Sequence, residues 1–467
     1  MNASTPGWRP DVAGIGWRLE RLIERDSLGA SLGAFLTGVA VTSGPWLLTT
    51  LVLVIMRLSA LGGGVAGASA GERVITIVYA LVIVLSAPID IVLSRYAADR
   101  VYEGRRGQIA GPLRRLVAAS LIAFTVIGAA AMWIADVEPA LAAPGAALAA
   151  VVGAQWLLLS AAGGLSSPAI ILRAFGLGAP ISVLAVVVLA RADVLGPAGY
   201  LIGYGVGQVA TLAMLLAGTL QALPAIEDED ARIGPAFAEY WLLGSAAFGF
   251  HAGLWIDKLV VFALAGGAAA STYAAIAAVA GLSVVPACAY LFSAVETSFH
   301  RRFQAYYQGL TAGASLATLE RRAAEVEAEI ARTLRGTAVV QVGVTLIALA
   351  ATPAIAGGLG LDAAGASALM WLLLGAGLQV VAMAATLLLY YFDFRREAAI
   401  AALTQLIASG ALTALIGAPS PLLGLGYALA CGLTCAAALV QLRRCVAGLL
   451  ERTFQSQPFL SEDYARE

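Results

Sequence analysis

The chain has 467 residues, of which 60% are hydrophobic and only 12% are charged. Soluble domains carry about 25% charged residues, so soluble domains of this composition could not cover their surfaces with polar groups. The mean hydropathy of +0.86 and the formal net charge of −1 also exclude a disordered chain. Soluble enzymes and nucleic-acid-binding proteins are therefore excluded, and the composition predicts an all-α polytopic membrane protein whose surroundings are the lipid bilayer.

Apolar segments long enough to cross the hydrocarbon core, which takes about 20 residues per helix, recur along the whole chain. None of them alternates apolar and polar residues as the strands of a membrane barrel do. We predict about twelve transmembrane helices, at residues 31–56, 74–94, 116–135, 140–162, 171–190, 195–220, 237–264, 272–294, 336–356, 364–391, 398–416 and 421–447.

The positions of the basic residues predict the orientation of these spans. Of the 28 basic residues, 24 fall on one side of the predicted membrane, and only Arg57, Arg73 and Arg191 fall on the other. The side richer in Lys and Arg is expected to be cytoplasmic. Both termini are then cytoplasmic, which requires an even number of spans.

The acidic run Glu227-Asp228-Glu229-Asp230 divides the chain into two sets of six spans. Two related bundles with a site between them are a recurrent plan among transporters. The predicted organisation is a cytoplasmic amphipathic segment (1–29), a first six-helix bundle (30–224), an acidic linker (225–235), a second six-helix bundle (236–450) with a cytoplasmic helical connection (297–335), and a cytoplasmic tail (451–467).

Two segments outside the spans have apolar residues at helical spacing. Gly14–Leu28 suits a helix lying in the cytoplasmic membrane interface. Thr318–Gly336 has a polar face rich in glutamate, which fits anionic lipid poorly, so we expect a protein-facing helix or, alternatively, a solvated connector. In the first case its apolar residues Leu319, Val326 and Ile330 would bind a partner.

Signatures of soluble catalysis are missing from the sequence. It contains no GxxxxGK[ST] loop to hold nucleotide phosphates and no HExxH motif. The only histidines are His251 and His300, and the four cysteines form no CxxC pair. We therefore expect a transporter without cofactor or metal, and no enzyme.

Charged residues inside the seventh span are the strongest candidates for a substrate or ion pathway. Asp257 and Lys258 follow His251 and Trp255 there, and a charge in hydrocarbon costs about 2.5–3.5 kcal/mol on insertion scales. Adjacent helical residues point about 100° apart, so the two charges are expected to neutralise each other poorly. Either Asp257 binds a proton, a cation or a cationic sugar, with Lys258 tuning it, or the pair reaches for the periplasmic interface.

Four further charged residues are candidates near the cytoplasmic side. Asp90, with Arg95 one turn beyond, would line an inner vestibule or anchor the helix at the interface. Glu296 would face the same vestibule or be a helix-end charge. Arg173 begins the fifth span, where an anionic or hydroxyl-rich substrate could meet it.

Several polar strings follow one another along the sequence in the order found in one transporter family. They are Gly14-Ile15-Gly16, Arg25-Asp26-Ser27-Leu28, Ser43-Gly44-Pro45-Trp46, Ser94-Arg95-Tyr96, Trp255-Ile256-Asp257-Lys258, Phe299-His300-Arg301-Arg302, Tyr306-Tyr307, Tyr390-Tyr391-Phe392-Asp393 and Arg395-Arg396. In these strings the sequence resembles the PelG family, the inner-membrane transporters of the Pel exopolysaccharide system, from about residue 13 to the last span.

The resemblance implies a twelve-helix MATE-like fold of the MOP superfamily and a place in the bacterial inner membrane. It also implies export of a galactosamine-containing, partly deacetylated polysaccharide. The implied partners are a cytosolic glycosyltransferase and membrane subunits that include a cyclic di-GMP receptor. Alternatives are a superfamily exporter of lipid-linked oligosaccharide or small cationic compounds, and a membrane scaffold for the glycosyltransferase that transports nothing.

Overall fold

The computed structural model describes residues 68–456 except 165–167, 193–194, 197, 224–230 and 419. Every regular element in this part of the chain is helical. The amphipathic segment Gly14–Leu28, the predicted first span at 31–56, most of the acidic linker and the end of the tail lie outside the described residues.

The first half, residues 68–222, contains five long helices that lie beside one another. Glycines and small hydroxyl residues let α4 and α5 approach closely, since Gly178 faces Thr211 and Gly207 faces Ser182 with no room for a larger side chain. The helices are α1 (Ala68–Tyr102), α2 (Ala110–Ile134), α3 (Pro139–Gly164), α4 (Pro168–Ala192) and α5 (Ala198–Ala222), with a 3-10 turn at Arg106–Gln108.

The second half, residues 231–456, combines long spans with short helices at their ends. Local signals mark several helix starts: a proline opens α6, α8 and α11, and the Asp362 side chain accepts from the Gly365 N–H at the start of α12. The helices are α6 (Gly234–Glu239), α7 (Trp241–Gly281), α8 (Val285–Ala294), α9 (His300–Thr311), α10 (Leu316–Ala350), α11 (Thr352–Leu359), α12 (Ala363–Tyr391), α13 (Arg395–Ile416), α14 (Leu425–Ala447) and α15 (Leu449–Ser456).

Eleven of the described helical segments are long and apolar enough to cross a membrane. They coincide with predicted spans two to twelve, so the predicted fold class is confirmed. The spans on either side of the predicted cytoplasmic connection are longer than expected. One runs from Ala269 to Thr311 and the next from Leu316 to Ala350, so the connection at 297–335 is made of helical extensions of the two spans themselves.

The two halves contact each other mainly through α1 and α7. The C-terminus of α1 and the N-terminus of α7 lie at the end of the bundle that carries Arg95, Arg100, Arg302, Arg322 and Arg395, which we call the arginine-rich end. Pro88 of α1 faces Gly244 of α7, where a side-chain carbon on Gly244 would be 3.4 Å from the proline ring. This is an ordinary van der Waals distance, so the two halves are packed against each other near this end.

The structure corrects the interpretation of the apolar face of Thr318–Gly336. Leu319, Val326 and Ile330 are 4%, 0% and 5% exposed, because the chain itself covers them. Val326 and Ile330 pack in one cluster with Tyr306 of α9 and Leu449 of α15. An amphipathic stripe predicts that a face is buried, and here its partner is intramolecular, so these side chains do not form an exposed docking surface.

Candidate functional site

A reversal of the chain inside α7 builds a buried site that contains one acidic and one basic side chain. Gly266 has φ 82° and ψ 176°, a conformation that glycine adopts at no steric cost. The Tyr273 hydroxyl donates to Oδ2 of Asp257 over 2.9 Å, although the two residues are 16 positions apart. A straight helix would separate them by about 24 Å. The helix therefore folds back at Gly266, and the seventh and eighth spans form a hairpin.

Asp257 and Lys258 form an ion pair within this hairpin. The Asp257 side chain is fully buried, and its Oδ1 lies 3.1 Å from Nζ of Lys258. The Lys258 ammonium also donates to the Leu254 carbonyl over 2.8 Å. The angle between successive residues did not predict this contact, which forms because the flexible lysine stem turns back along the helix, although Oδ1 of Asp257 makes no hydrogen bond among the described residues. The carboxylate lies inside the bundle.

Two tyrosine rings complete the surroundings of the ammonium. Nζ of Lys258 lies 4.8 Å from the centre of the Tyr427 ring and 5.9 Å from the centre of the Tyr273 ring. Cations within about 6 Å of an aromatic face are attracted by its quadrupole, and more strongly where water is excluded. One carboxylate and two aromatic faces therefore form a set of groups that recognises an ammonium, and here Lys258 supplies it.

The site continues into a polar cluster between α12, α13 and α14. The Cys431 thiol is 3.2 Å from Oε1 of Gln379, and Nε2 of Gln405 is 3.6 Å from the Cys431 sulfur. Nε2 of Gln379 and Oε1 of Gln405 are buried without a hydrogen-bond partner among the described residues. Buried polar atoms are normally paired, so this cluster retains one donor site and one acceptor site for a hydroxyl or a water.

The other candidates on the seventh span do not join the ion pair. Nδ1 of His251 is 2.8 Å from the Ala247 carbonyl, and the imidazole packs edge-on against the Phe250 ring. Trp255 is half-buried on the same arm of α7. His251 is therefore held by its own helix, apart from the buried pair.

At the arginine-rich end, polar contacts join the two halves. The Tyr240 hydroxyl donates to Asp99 of α1 over 2.8 Å. Burial and the bond to Asp99 both raise the pKa of the Tyr240 phenol, so it remains a donor at neutral pH. Arg95 donates to the Tyr390 carbonyl over 3.0 Å and lies 3.7 Å from Asp393. In this conformation the halves are thus closed against each other at this end.

The structure places the remaining candidates apart from one another. Glu296 lies in a five-residue π-helix, Val295–Phe299, and accepts a hydrogen bond from Tyr391. Such π-helical turns are frequent at functional sites. Arg173 is exposed on α4. Asp90 and Arg95 were expected at one vestibule, but Asp90 accepts from Ser86 of its own helix, whereas Arg95 binds the Tyr390 carbonyl of the second half.

Almost the whole chain matches the model of one protein family. The profile described as "PelG: Putative exopolysaccharide Exporter (EPS-E)" matches residues 12–454. The chain belongs to the PelG family. This confirms the resemblance drawn from the polar strings, and the description of the family points to an exporter. A search of curated proteins found no match.

Solved structures similar to this PelG-family protein are transporters of the MOP superfamily. An outward-facing multidrug resistance MATE transporter is 14% identical, with a TM-score of 0.63, over 89% of this chain and 96% of its own. A MATE structure in a bent conformation is 13% identical, with a TM-score of 0.65, over 95% and 99%. A MOP transporter from Pyrococcus furiosus is 13% identical, with a TM-score of 0.64, over 96% and 100%. At these identities the likeness establishes a shared MATE-like fold.

Sequence reasoning missed the residues that surround the ion pair in the PelG-family chain. Tyr273 could have been found, because the Gly266-Gly267 pair predicts a turn and Asp257 and Tyr273 lie at similar distances on either side of it. Tyr427 and Cys431 are one helical turn apart on the twelfth span. That spacing shows that they share a face, but not that the face meets α7.

Proposed function

We propose that this PelG-family protein moves a growing, galactosamine-containing and partly deacetylated exopolysaccharide across the bacterial inner membrane. Family membership and the transporter fold support polysaccharide export in general. The observation that carries the finer proposal is the buried Asp257 carboxylate beside the Tyr273 and Tyr427 rings. A deacetylated amino sugar presents an ammonium, and this set of groups suits an ammonium.

In this proposal Lys258 occupies the place that a sugar ammonium takes during transport. Lysine has a long flexible stem, and the Lys258 side chain is 14% exposed, so its head can leave the pair without unfolding the helix. Asp257 has no such freedom because it is fully buried and held by Tyr273. The site therefore has a fixed anion and a movable cation. The unpartnered amide atoms of Gln379 and Gln405 would then bond sugar hydroxyls.

We further propose that the arginine-rich end is cytoplasmic, as the distribution of basic residues predicts, and that both termini lie on that side. A cytosolic glycosyltransferase and membrane subunits, including a cyclic di-GMP receptor, would bind at this end. The surface available to them on α10 is polar, because its apolar face is covered. It is formed by the exposed residues Glu320, Arg321, Glu325 and Glu327.

The experiment measures secreted polysaccharide in cells that carry Asp257→Asn, with the amount of protein in the membrane determined in parallel. We expect secretion to be lost while the protein level remains close to that of the wild type. Asp136→Asn is the matched control. Asp136 is exposed in the α2–α3 turn, so this substitution makes the same chemical change remote from the site. Normal secretion by Asp257→Asn would contradict the site.

A double variant separates loss of the site from loss of the fold. Asp257→Asn leaves a buried ammonium without its carboxylate, whereas Asp257→Asn combined with Lys258→Met removes both charges. The double variant is therefore expected to reach the membrane and still fail to export. Wild-type export by this double variant would show that the charge pair serves stability alone.

A further inference from the structure

Asp90 lies on a face of α1 that is directed into the first half. Ser86, Asp90, Leu93 and Ala97 are spaced four, three and four residues apart, so they form one stripe along the helix. Ser86, Leu93 and Ala97 are each 0% exposed. Leu93 and Ala97 pack into the apolar cluster that α2, α3 and α4 share. Asp90 itself is partly exposed, but its Oδ1 is buried, and the other members of the stripe are fully buried.

The opposite face of α1 makes the contacts with the second half. Pro88, Val92, Arg95 and Asp99 have the same spacing but are offset from the first stripe by two residues, or about 200° around the helix. Pro88 faces Gly244, Val92 packs against Tyr240, Arg95 binds the Tyr390 carbonyl, and Asp99 accepts from Tyr240. Arg95 is therefore turned away from Asp90 and does not neutralise it.

Asp90 of α1 and Asp257 of α7 have different partners. Asp257 has a resident ammonium at 3.1 Å and a tyrosine donor, although its Oδ1 makes no hydrogen bond among the described residues. Asp90 has one donor, the Ser86 hydroxyl at 2.8 Å from Oδ2, and its Oδ1 is buried with no hydrogen-bond partner. No described salt bridge includes Asp90. Of the two, Asp90 is the carboxyl that has no counter-charge within the part of the chain that the structure describes.

Among the described residues, no cation on the elements packed against α1 forms a salt bridge with the Asp90 carboxyl. The sequence of α3, its main neighbour in the first half, contains no ionisable side chain. Tyr200 and Tyr204 of α5 are bonded to Glu72 and Tyr79. The other ionisable groups on the packed elements are Arg106 in the 3-10 turn, Arg114 and Arg115 of α2, Glu239 of α6, Tyr240 at the start of α7, and His251, Asp257, Lys258 and Tyr273 of α7.

We propose that Asp90 is a proton-binding site in the first half of the protein. An ionised carboxylate without a counter-charge is very unfavourable in a low-dielectric interior, and such groups are neutralised by taking up a proton. Use of this proton to drive export rests on the proposed function, but proton binding by Asp90 does not.

Dicyclohexylcarbodiimide tests the proposal on the full-length protein in membranes, because this apolar reagent modifies protonated carboxyls in apolar surroundings. Labelled peptides are identified by mass spectrometry between pH about 5 and about 9. We expect Asp90 to be labelled at low pH and its labelling to fall as the pH rises. Asp257 is the internal comparison and should remain unlabelled, because it is fully buried and paired with Lys258.

Infrared difference spectra of the wild type and Asp90→Asn give a second measurement that does not depend on access of the reagent. The carbonyl stretch of a neutral carboxyl should be present in the wild type and lost in Asp90→Asn. Glu103→Gln, at the exposed end of the same helix, is the matched control and should leave that band unchanged. A wild-type spectrum without a neutral-carboxyl band assignable to Asp90 at low pH would overturn the proposal. If the wild-type protein shows the Asp90 band but does not export polysaccharide, that result would instead contradict the proposed function.

Discussion

Removing one charge of the Asp257–Lys258 pair should cost more stability than removing both. In Lys258→Met a fully buried carboxylate remains with only the Tyr273 hydroxyl, and loss of one partner of a buried pair costs about 3–5 kcal/mol. In Asp257→Asn the ammonium keeps the Leu254 carbonyl, the two rings and a little solvent, so we expect a smaller loss, about 1–3 kcal/mol. The double variant leaves no uncompensated charge and should lose about 1 kcal/mol or less.

The measurement is equilibrium unfolding of the four proteins of this double-mutant cycle in detergent, at one pH and one salt concentration. The free energies of unfolding give the coupling between the two side chains directly. A strongly non-additive result, in which the second substitution restores stability lost through the first, supports a pair that is desolvated in the folded protein. Additive losses would refute the reasoning, because they would mean that the two charges are solvated independently.

Two further predictions concern how the chain is folded around this site. Gly266→Ala should destabilise the protein by about 1–3 kcal/mol, since the reversal inside α7 needs φ 82° and ψ 176° there, a conformation essentially limited to glycine. Gly163→Ala, in a helix with open space at the added carbon, is the control and should not destabilise the protein in the same unfolding assay. Ile330→Ala should cost about 2–5 kcal/mol by leaving a cavity between α10 and its neighbours. The exposed control Glu327→Ala should change stability by no more than about 0.5 kcal/mol, and equal effects of these two changes would contradict intramolecular burial.

The fold could be predicted from the pattern of hydrophobic and charged residues along the sequence. Each apolar run of about 20 residues must satisfy its backbone internally in lipid, so its length alone identifies a helix. The described spans follow the predicted ones because this constraint acts on each segment separately. It does not say where a helix ends outside the membrane, which is why the extensions towards Thr311 and from Leu316 were not foreseen.

The candidate site was only partly predictable, because its residues meet through packing between distant segments. A charge inside a span is visible in the sequence, so Asp257 and Lys258 could be found. Their pairing could not, since it depends on the path of a flexible side chain and not on the angle between successive residues. Tyr427 approaches Lys258 from a helix about 170 residues further along the chain, and no local pattern encodes that contact.

The length of α10 has a mechanical consequence. Its 35 residues form one helix of about 52 Å, whereas the hydrocarbon core is about 30 Å thick. No proline interrupts it, and Glu329 is clamped by Arg302 and Arg332 near the arginine-rich end. The part beyond the bilayer is therefore a lever, about 20 Å long, that is rigidly continuous with a transmembrane helix. A partner that pulls on its tip would apply torque to the second half directly, without any flexible joint to absorb the displacement.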